Sequence, residues 1–198
     1  MTTLLPLAEL PEETLLHIFG YLSTCQILKN IALVCKRFYR ICLDDSLITE
    51  IYFGRKINDN SLEYAKEVLS RSYNLTKLIL QCCENANLLI YSAIEFCPKL
   101  NHIEIMGCYL TEDCFETLIE SRQNIQHLSL TGTCIKSNIG GITKLKKLKR
   151  LKLSDYNYKF NSYDLICLAN NCEQLKSLTV DRVGKTTYSE LVKPLVIT

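Results

Sequence analysis

The sequence has no tryptophan, two methionines, four prolines, seven glycines and three histidines in 198 residues. Several arrangements that would announce a chemistry are also missing. None of its 11 cysteines forms a Cys-x-x-Cys motif, and His17, His102 and His127 are its only imidazoles, so a zinc site has little to build on. There is no glycine-rich phosphate loop and no Ser, His and Asp set at triad spacing. No catalytic residue, metal or cofactor is therefore assigned. The segment Met1 to Glu9 has no basic stretch, and Pro6 and Glu9 break its apolar run, which is unlike a secretory signal. Without secretion a disulfide framework is not expected, and an odd cysteine count leaves at least one thiol unpaired. The longest stretch free of Asp, Glu, Lys and Arg, Thr14 to Leu28, is 15 residues, too short to cross a bilayer. The expectation is an intracellular protein with reduced thiols, in cytoplasm or nucleus and without a membrane partner.

What is present is a well-populated apolar set: 47% hydrophobic residues against 22% charged, with a net charge of +2. The length suits one compact domain, or one domain plus a small appendage, and the apolar fraction excludes a disordered chain. It also disfavours a general nucleic-acid or membrane-surface binder, although local patches can hide inside a neutral sum.

Most of the chain follows one pattern. L-x-x-L-x-L, with Ile, Val or Phe allowed for Leu, begins at Ile48, Leu75, Leu100, Ile125, Leu148 and Leu175, in steps of 27, 25, 25, 23 and 27 residues. The end of each copy alternates apolar and polar, which suits a short strand with one buried face. Helical stripes fill some intervals: Leu62, Ala65 and Leu69, then Phe115, Leu118 and Ile119, with Asp59 and Thr111 as expected caps. One strand and one helix cannot bury their own apolar faces, so the units must stack into a parallel solenoid. The fourth return, Thr131 to Lys147, is the shortest and holds Gly140-Gly141; a loop or short irregular helix is expected there, with altered curvature. The last unit is expected to be incomplete, with Tyr188 to Val192 as a partial cap.

These units resemble cysteine-containing leucine-rich repeats, with Cys83 and Cys108 three residues after the last strand position and Cys97 and Cys172 three residues before the next copy. Leu110-Thr111-Glu112-Asp113 matches the segment that opens the helix in that subtype. The cysteines are read as small buried hydrophobes that fill the turns.

Residues 10 to 47 stand outside the repeat, after a tail of residues 1 to 9. Leu10-Pro11-Glu12-Glu13 opens a helix with Pro at its first position and acids in its first turn. Leu15, Ile18, Phe19 and Leu22 form its stripe. Ser23 or Thr24 caps a short second helix with Ile27 and Leu28, and Ile31, Val34, Phe38 and Ile41 form a third stripe. About 40 residues is the lower limit for an independent core. The apolar surface exceeds what three short helices bury among themselves, so it needs either the repeat array or a separate protein.

The run from Leu10 through Leu22, Ile27-Leu28 and Val34-Cys35-Lys36-Arg37-Phe38-Tyr39-Arg40 resembles an F-box. It departs where Phe38 and Ile48 replace customary tryptophans, and where Thr24-Cys25 stand in place of a customary proline. An F-box followed by such repeats resembles the substrate receptors of SCF-type cullin–RING ubiquitin ligases. The resemblance implies an α/β protein: a three-helix F-box over 10–47, then a short right-handed leucine-rich-repeat solenoid over 48–198 with a parallel concave sheet. It also implies a Skp-family adaptor as partner, cullin and RING subunits through it, a protein substrate on the repeats, and catalysis in other subunits. The rival reading is a repeat scaffold without a ubiquitin role.

The expected adaptor face is Leu10, Pro11, Leu15, Ile18, Phe19, Leu22, Val34 and Phe38, with Leu16, Ile31 and Ile41 inside. On the sheet, alternation turns Glu50, Tyr52, Lys77, Ile79, His102, Glu104, His127, Ser129, Arg150, Lys152, Ser177 and Thr179 outward as the concave substrate face. His102 and His127 should be neighbours; a metal pair lacks a third ligand beyond Glu104, and solvated or partner-contacting imidazoles are the alternative. Ser121 to Ser154 contains eight Lys or Arg and no acid, which leaves the remaining residues at a net −6. That stretch is either a solvated surface or a site for an acidic or phosphorylated segment. Few aromatics lie among its cations, which disfavours nucleic acid.

Overall fold

The computed structural model describes residues 6–54, 59–133, 139–154 and 162–181. The tail before Pro6 and the segment Tyr188 to Val192 lie outside the described residues. Six strands follow the six sequence copies: β1 (Glu50–Phe53), β2 (Lys77–Gln81), β3 (His102–Met106), β4 (His127–Thr131), β5 (Arg150–Ser154) and β6 (Ser177–Asp181). They form one parallel sheet in chain order, in register through Ile51, Leu78, Ile103, Leu128, Leu151 and Leu178. The apolar positions of the pattern face inward, and Leu75, Leu80, Leu100, Ile105, Ile125, Leu130, Leu148 and Leu153 are wholly buried. A one-residue slip would turn this whole set outward, so the hydrophobic pattern fixes the register.

The returns are α4 (Asp59–Ser70), α5 (Ala86–Phe96), α6 (Glu112–Ser121) and α7 (Ser162–Asn171). They cover the inner side of the sheet and close one continuous core. The described part of α4 opens at Asp59, and Thr111 caps α6 as its chemistry predicts, its side chain accepting the Cys114 N–H at 3.2 Å. The fourth return is a 3-10 helix, Ile139–Lys144. Among the described residues a groove of about 270 Å³ lies between it and α6, lined by Phe115, Ile119 and Gly140-Gly141, and strand pairing runs through this unit without a break.

The turn cysteines work as expected. Cys83, Cys97, Cys108 and Cys172 are buried free thiols. Burial holds the Cys97 thiol at about 11 and raises that of Cys172, so both stay protonated and inert. Cys83 donates to the Phe53 carbonyl at 3.3 Å and Cys108 to the Met106 carbonyl at 3.4 Å. In the next unit Thr133 takes this place and donates to the Ile105 carbonyl at 3.0 Å.

Just after β2, β3 and β4 the chain turns through a left-handed residue: Cys82, Gly107 and Gly132, at φ 51°, 60° and 58°. A Cβ at Gly107 would also lie 3.0 Å from the Cys82 sulfur. Gly107→Ala is therefore expected to cost about 1–3 kcal/mol, read as a lower urea midpoint at unchanged slope.

Residues 10–47 pack as α1 (Glu12–Phe19), α2 (Thr24–Gln26), a π-turn Ile27–Ile31 and α3 (Lys36–Cys42) around a second core. Ser23 caps α2 in a reciprocal capping box with Gln26. The third stripe is not one helix. Ile31 ends the π-turn, Val34 lies in a turn, and Cys35 is extended, its sulfur accepting the Phe38 N–H at 3.4 Å. Thr24 joins the two parts: its buried hydroxyl donates to the Leu47 carbonyl and accepts from the Thr49 and Glu50 N–H groups, each at 3.3 Å.

Candidate adaptor face and concave ligand face

The eight residues expected to face an adaptor divide into three groups. Leu15, Phe19 and Phe38 lie inside the helical module, at 0%, 0% and 4% exposure, with the two phenyl rings edge to face at 5.2 Å. They are core residues, because a module this small uses its largest apolar side chains to close itself. Leu10, Ile18 and Leu22 are half-buried against that core, and Pro11 and Val34 are exposed. Of the three assigned inside, Ile41 is buried, while Leu16 and Ile31 are half-buried at the rim.

Leu33, Tyr39 and Leu43 stand exposed with Val34, and helical periodicity missed them. Leu33 and Val34 are 77% and 64% exposed. The signal for them was an apolar pair that no single stripe could absorb. Leu10 and Pro11 are held against α3 by Arg37, which donates to the Leu10 carbonyl at 2.6 Å and also to the Ala8 carbonyl. A solvent-facing pair, Arg40–Glu12 at 3.4 Å, adds little.

The outward side chains of the sheet fall into two rows. Glu50, Lys77, His102, His127, Arg150 and Ser177 stand side by side on successive strands, and Tyr52, Ile79, Glu104, Ser129, Lys152 and Thr179 form the second row. The rows are electrically asymmetric. At the β1–β3 end, Lys77 meets Glu50 at 2.9 Å and Glu104 at 3.4 Å, and the His102 Nε2 is 2.9 Å from Glu104. Tyr52 donates to Gln81. At the β4–β5 end, the side chains of Arg150 and Lys152 are exposed and make no hydrogen bond or ion pair among the described residues.

His102 and His127 are neighbours, with ring centroids 4.7 Å apart. Among the described residues no three His, Cys, Asp or Glu side chains gather around a metal position. Burial lowers the pKa of both imidazoles; Lys77 lowers His102 further against the opposing pull of Glu104, and His102, Arg150 and Lys149 lower His127. Burial would lower Lys77 too, but Glu50 and Glu104 outweigh it and raise the ammonium. The folded state thus binds fewer imidazole protons than the unfolded chain below the ordinary value of about 6.5. Stability is expected to fall as pH drops through that value, and the Lys77 contribution is lost only at alkaline pH. Thermal melts from about pH 8 to about pH 5 check this: His127→Gln should flatten the slope.

Residues 7–54 match the F-box-like family model. Human F-box/LRR-repeat protein 18 is 20% identical over 119 residues, which cover 60% of this chain and 17% of that protein. Two putative F-box/LRR-repeat proteins of Arabidopsis thaliana, numbers 9 and 23, are 28% and 24% identical over 180 and 184 residues. Those matches cover 89% and 92% of this chain and 66% and 36% of the relatives. The chain thus spans less than two thirds of the length of each. Among solved structures, a chain of the yeast Rad7–Elc1 complex superposes with a TM-score of 0.56 at 19% identity, covering 86% of this chain and 46% of that one. The tropomodulin C-terminal domain of Caenorhabditis elegans gives 0.53 at 15%, covering 66% and 86%. These structural likenesses carry the fold.

Proposed function

We propose, since the chain belongs to the F-box/leucine-rich-repeat family, that it is the substrate-receptor subunit of an SCF-type ubiquitin ligase. Its F-box docks on a Skp-family adaptor and through it on cullin and RING subunits. Its repeats hold the protein to be ubiquitinated, and the transfer chemistry belongs to other subunits. The protein works in cytoplasm or nucleus.

The observation that carries this reading is the outer surface of the helical module. Its core is already closed by Leu15, Phe19, Ile27, Phe38, Ile41 and Leu47, yet Pro11, Leu33, Val34, Tyr39 and Leu43 remain in solvent. An apolar set of this kind on a satisfied core supports a partner surface, and buried aliphatic and aromatic anchors dominate such interfaces. The repeat array meets the module at Thr24, which accepts from the Thr49 and Glu50 N–H groups, and at Asp45, whose carbonyl accepts from Asn74, and it leaves that apolar set exposed.

Affinity capture of the full chain from cells tests the reading. Recovery of adaptor together with cullin is expected; recovery of a different partner alone supports the scaffold instead. The ubiquitinated proteome with and without residues 10–47 then names the substrates, as proteins whose modification is lost with the F-box.

A further inference from the structure

We propose that Cys83 and Cys108 form a peroxide-responsive thiol pair: Cys108 attacks the oxidant, and Cys83 resolves the product as a disulfide that ties the turn after β2 to the turn after β3. The proposal goes beyond the receptor reading and does not rest on it.

Register brings the two thiols together. Gln81 at the end of β2 pairs with Met106 at the end of β3. Both chains then turn through a left-handed residue, Cys82 and Gly107, so Cys83 and Cys108 arrive at matching places two residues beyond the last pair. Neighbouring strands lie about 4.8 Å apart, inside the range of about 4.4–6.8 Å that a disulfide spans between Cα atoms. The Cys83 N–H donates to the Cys108 sulfur at 3.3 Å, and the two thiols are hydrogen-bond partners of each other. The neighbouring buried thiols point elsewhere: Cys97 donates to the Leu69 carbonyl and Cys114 to the Asn87 carbonyl. The next turn carries Thr133 in the place of Cys108 and ends the thiol ladder.

Reactivity sets the pair apart. A thiolate, not a thiol, attacks peroxide. Hydrogen bonding from the Cys83 thiol and from the turn backbone outweighs burial and brings the Cys108 thiol down to about 7, while that pairing and burial push Cys83 up. Burial holds Cys97 at about 11 and Cys114 at about 12. Cys83 and Cys108 each keep 3% of their surface in solvent, whereas Cys42, Cys97 and Cys114 keep none. That narrow opening suits an oxidant near the size of water.

The chemistry closes with hydrogen peroxide alone. The Cys108 thiolate attacks one peroxide oxygen, an S–O bond forms, the O–O bond breaks, and hydroxide leaves and takes up a proton as water. The anion beside Cys83, which helped to keep it protonated, is then gone. The Cys83 sulfur attacks the sulfenic sulfur, the S–S bond forms, and the hydroxyl leaves with the Cys83 proton as a second water. Two thiols lose two electrons and one peroxide becomes two waters. The S–H donations to the Phe53 and Met106 carbonyls are exchanged for the covalent tie. Disulfides of a reducing compartment are of this transient, sensing kind.

The test treats the reduced full chain with hydrogen peroxide, blocks the remaining thiols and maps peptides by mass spectrometry without reduction. A Cys83–Cys108 crosslink is expected, formed at least about tenfold faster than Cys97 or Cys114 is oxidised. Cys83→Thr should stop the reaction at a sulfenic acid on Cys108, captured by dimedone, and Cys108→Thr should lose the crosslink. Threonine already fills this place at Thr133, so both variants keep the turn. Cys82→Gly, which gives this turn the residue of the next two, should crosslink as the native chain does. The proposal falls if peroxide oxidises only Cys35 or Cys82, if Cys97 and Cys114 react as fast, or if Cys82→Gly loses the crosslink.

Discussion

Phe19→Ala is expected to lower the stability of the helical module by about 3–5 kcal/mol and to melt it ahead of the repeats. Phe19 has no exposed surface and meets Phe38 edge to face at 5.2 Å, a contact worth about 1 kcal/mol beyond area. Truncation leaves a cavity in a core of eight buried residues, Leu15, Phe19, Ile27, Ala32, Phe38, Ile41, Cys42 and Leu47. A core that small has nothing to collapse into the void. The repeat core is a separate cluster, and hydrogen bonds cross the junction at Thr24, which accepts from the Thr49 and Glu50 N–H groups, and at Asn74, which donates to the Asp45 carbonyl. Urea unfolding should therefore split into two transitions, the earlier belonging to residues 10–47. A loss below about 1 kcal/mol would place Phe19 at a surface and contradict this packing.

The second large effect is the converse. Leu33→Asp/Val34→Asp should leave stability within about 0.5 kcal/mol of the native chain, because both side chains already lie in solvent. The same change should weaken adaptor binding by about thirtyfold or more, the value of an interface anchor worth about 2 kcal/mol. Leu10→Ala/Pro11→Ala acts at the neighbouring segment that Arg37 holds in place. Phe19→Ala loses the adaptor by unfolding the module, whereas the Leu33 and Val34 changes lose it with the module intact. Undiminished co-purification of the doubly substituted chain would show that the exposed set is not the docking surface.

The repeat half was legible because its signal is redundant. Six copies of one pattern, each fixing the inward face of a strand, leave a single register, and Leu78, Ile103, Leu128 and Leu151 pair as that register requires. The short fourth return was readable from Gly140-Gly141, and the Cys83 and Cys108 turns from their place after the strand. Thr133 in the same place was not, since a hydroxyl and a thiol look unrelated until both are seen donating to a strand carbonyl.

The helical half was legible as a module but not as a surface. A stripe at helical spacing says that a side is apolar; it does not say whether the chain itself or a partner covers it. Phe19 and Phe38 therefore appeared as interface anchors when they are the centre of the core. The break between Ile31 and Lys36 was hidden because a π-turn and an extended Cys35 keep Ile31, Val34, Phe38 and Ile41 at spacings that one continuous helix also gives. The concave face was readable in membership but not in electrostatics. Alternation names Lys77, His102 and Glu104, and only their distances show that the cation of β2 is spent, whereas those of β5 have no such partner among the described residues.

The most direct measurement mixes the purified full chain with a purified Skp-family adaptor and follows association by calorimetry at several temperatures. The account predicts a stoichiometric complex with a negative heat-capacity change, as apolar surface around Val34 and Leu33 leaves water. Two components that remain separate at micromolar concentration, with no heat of binding at any temperature, would contradict it.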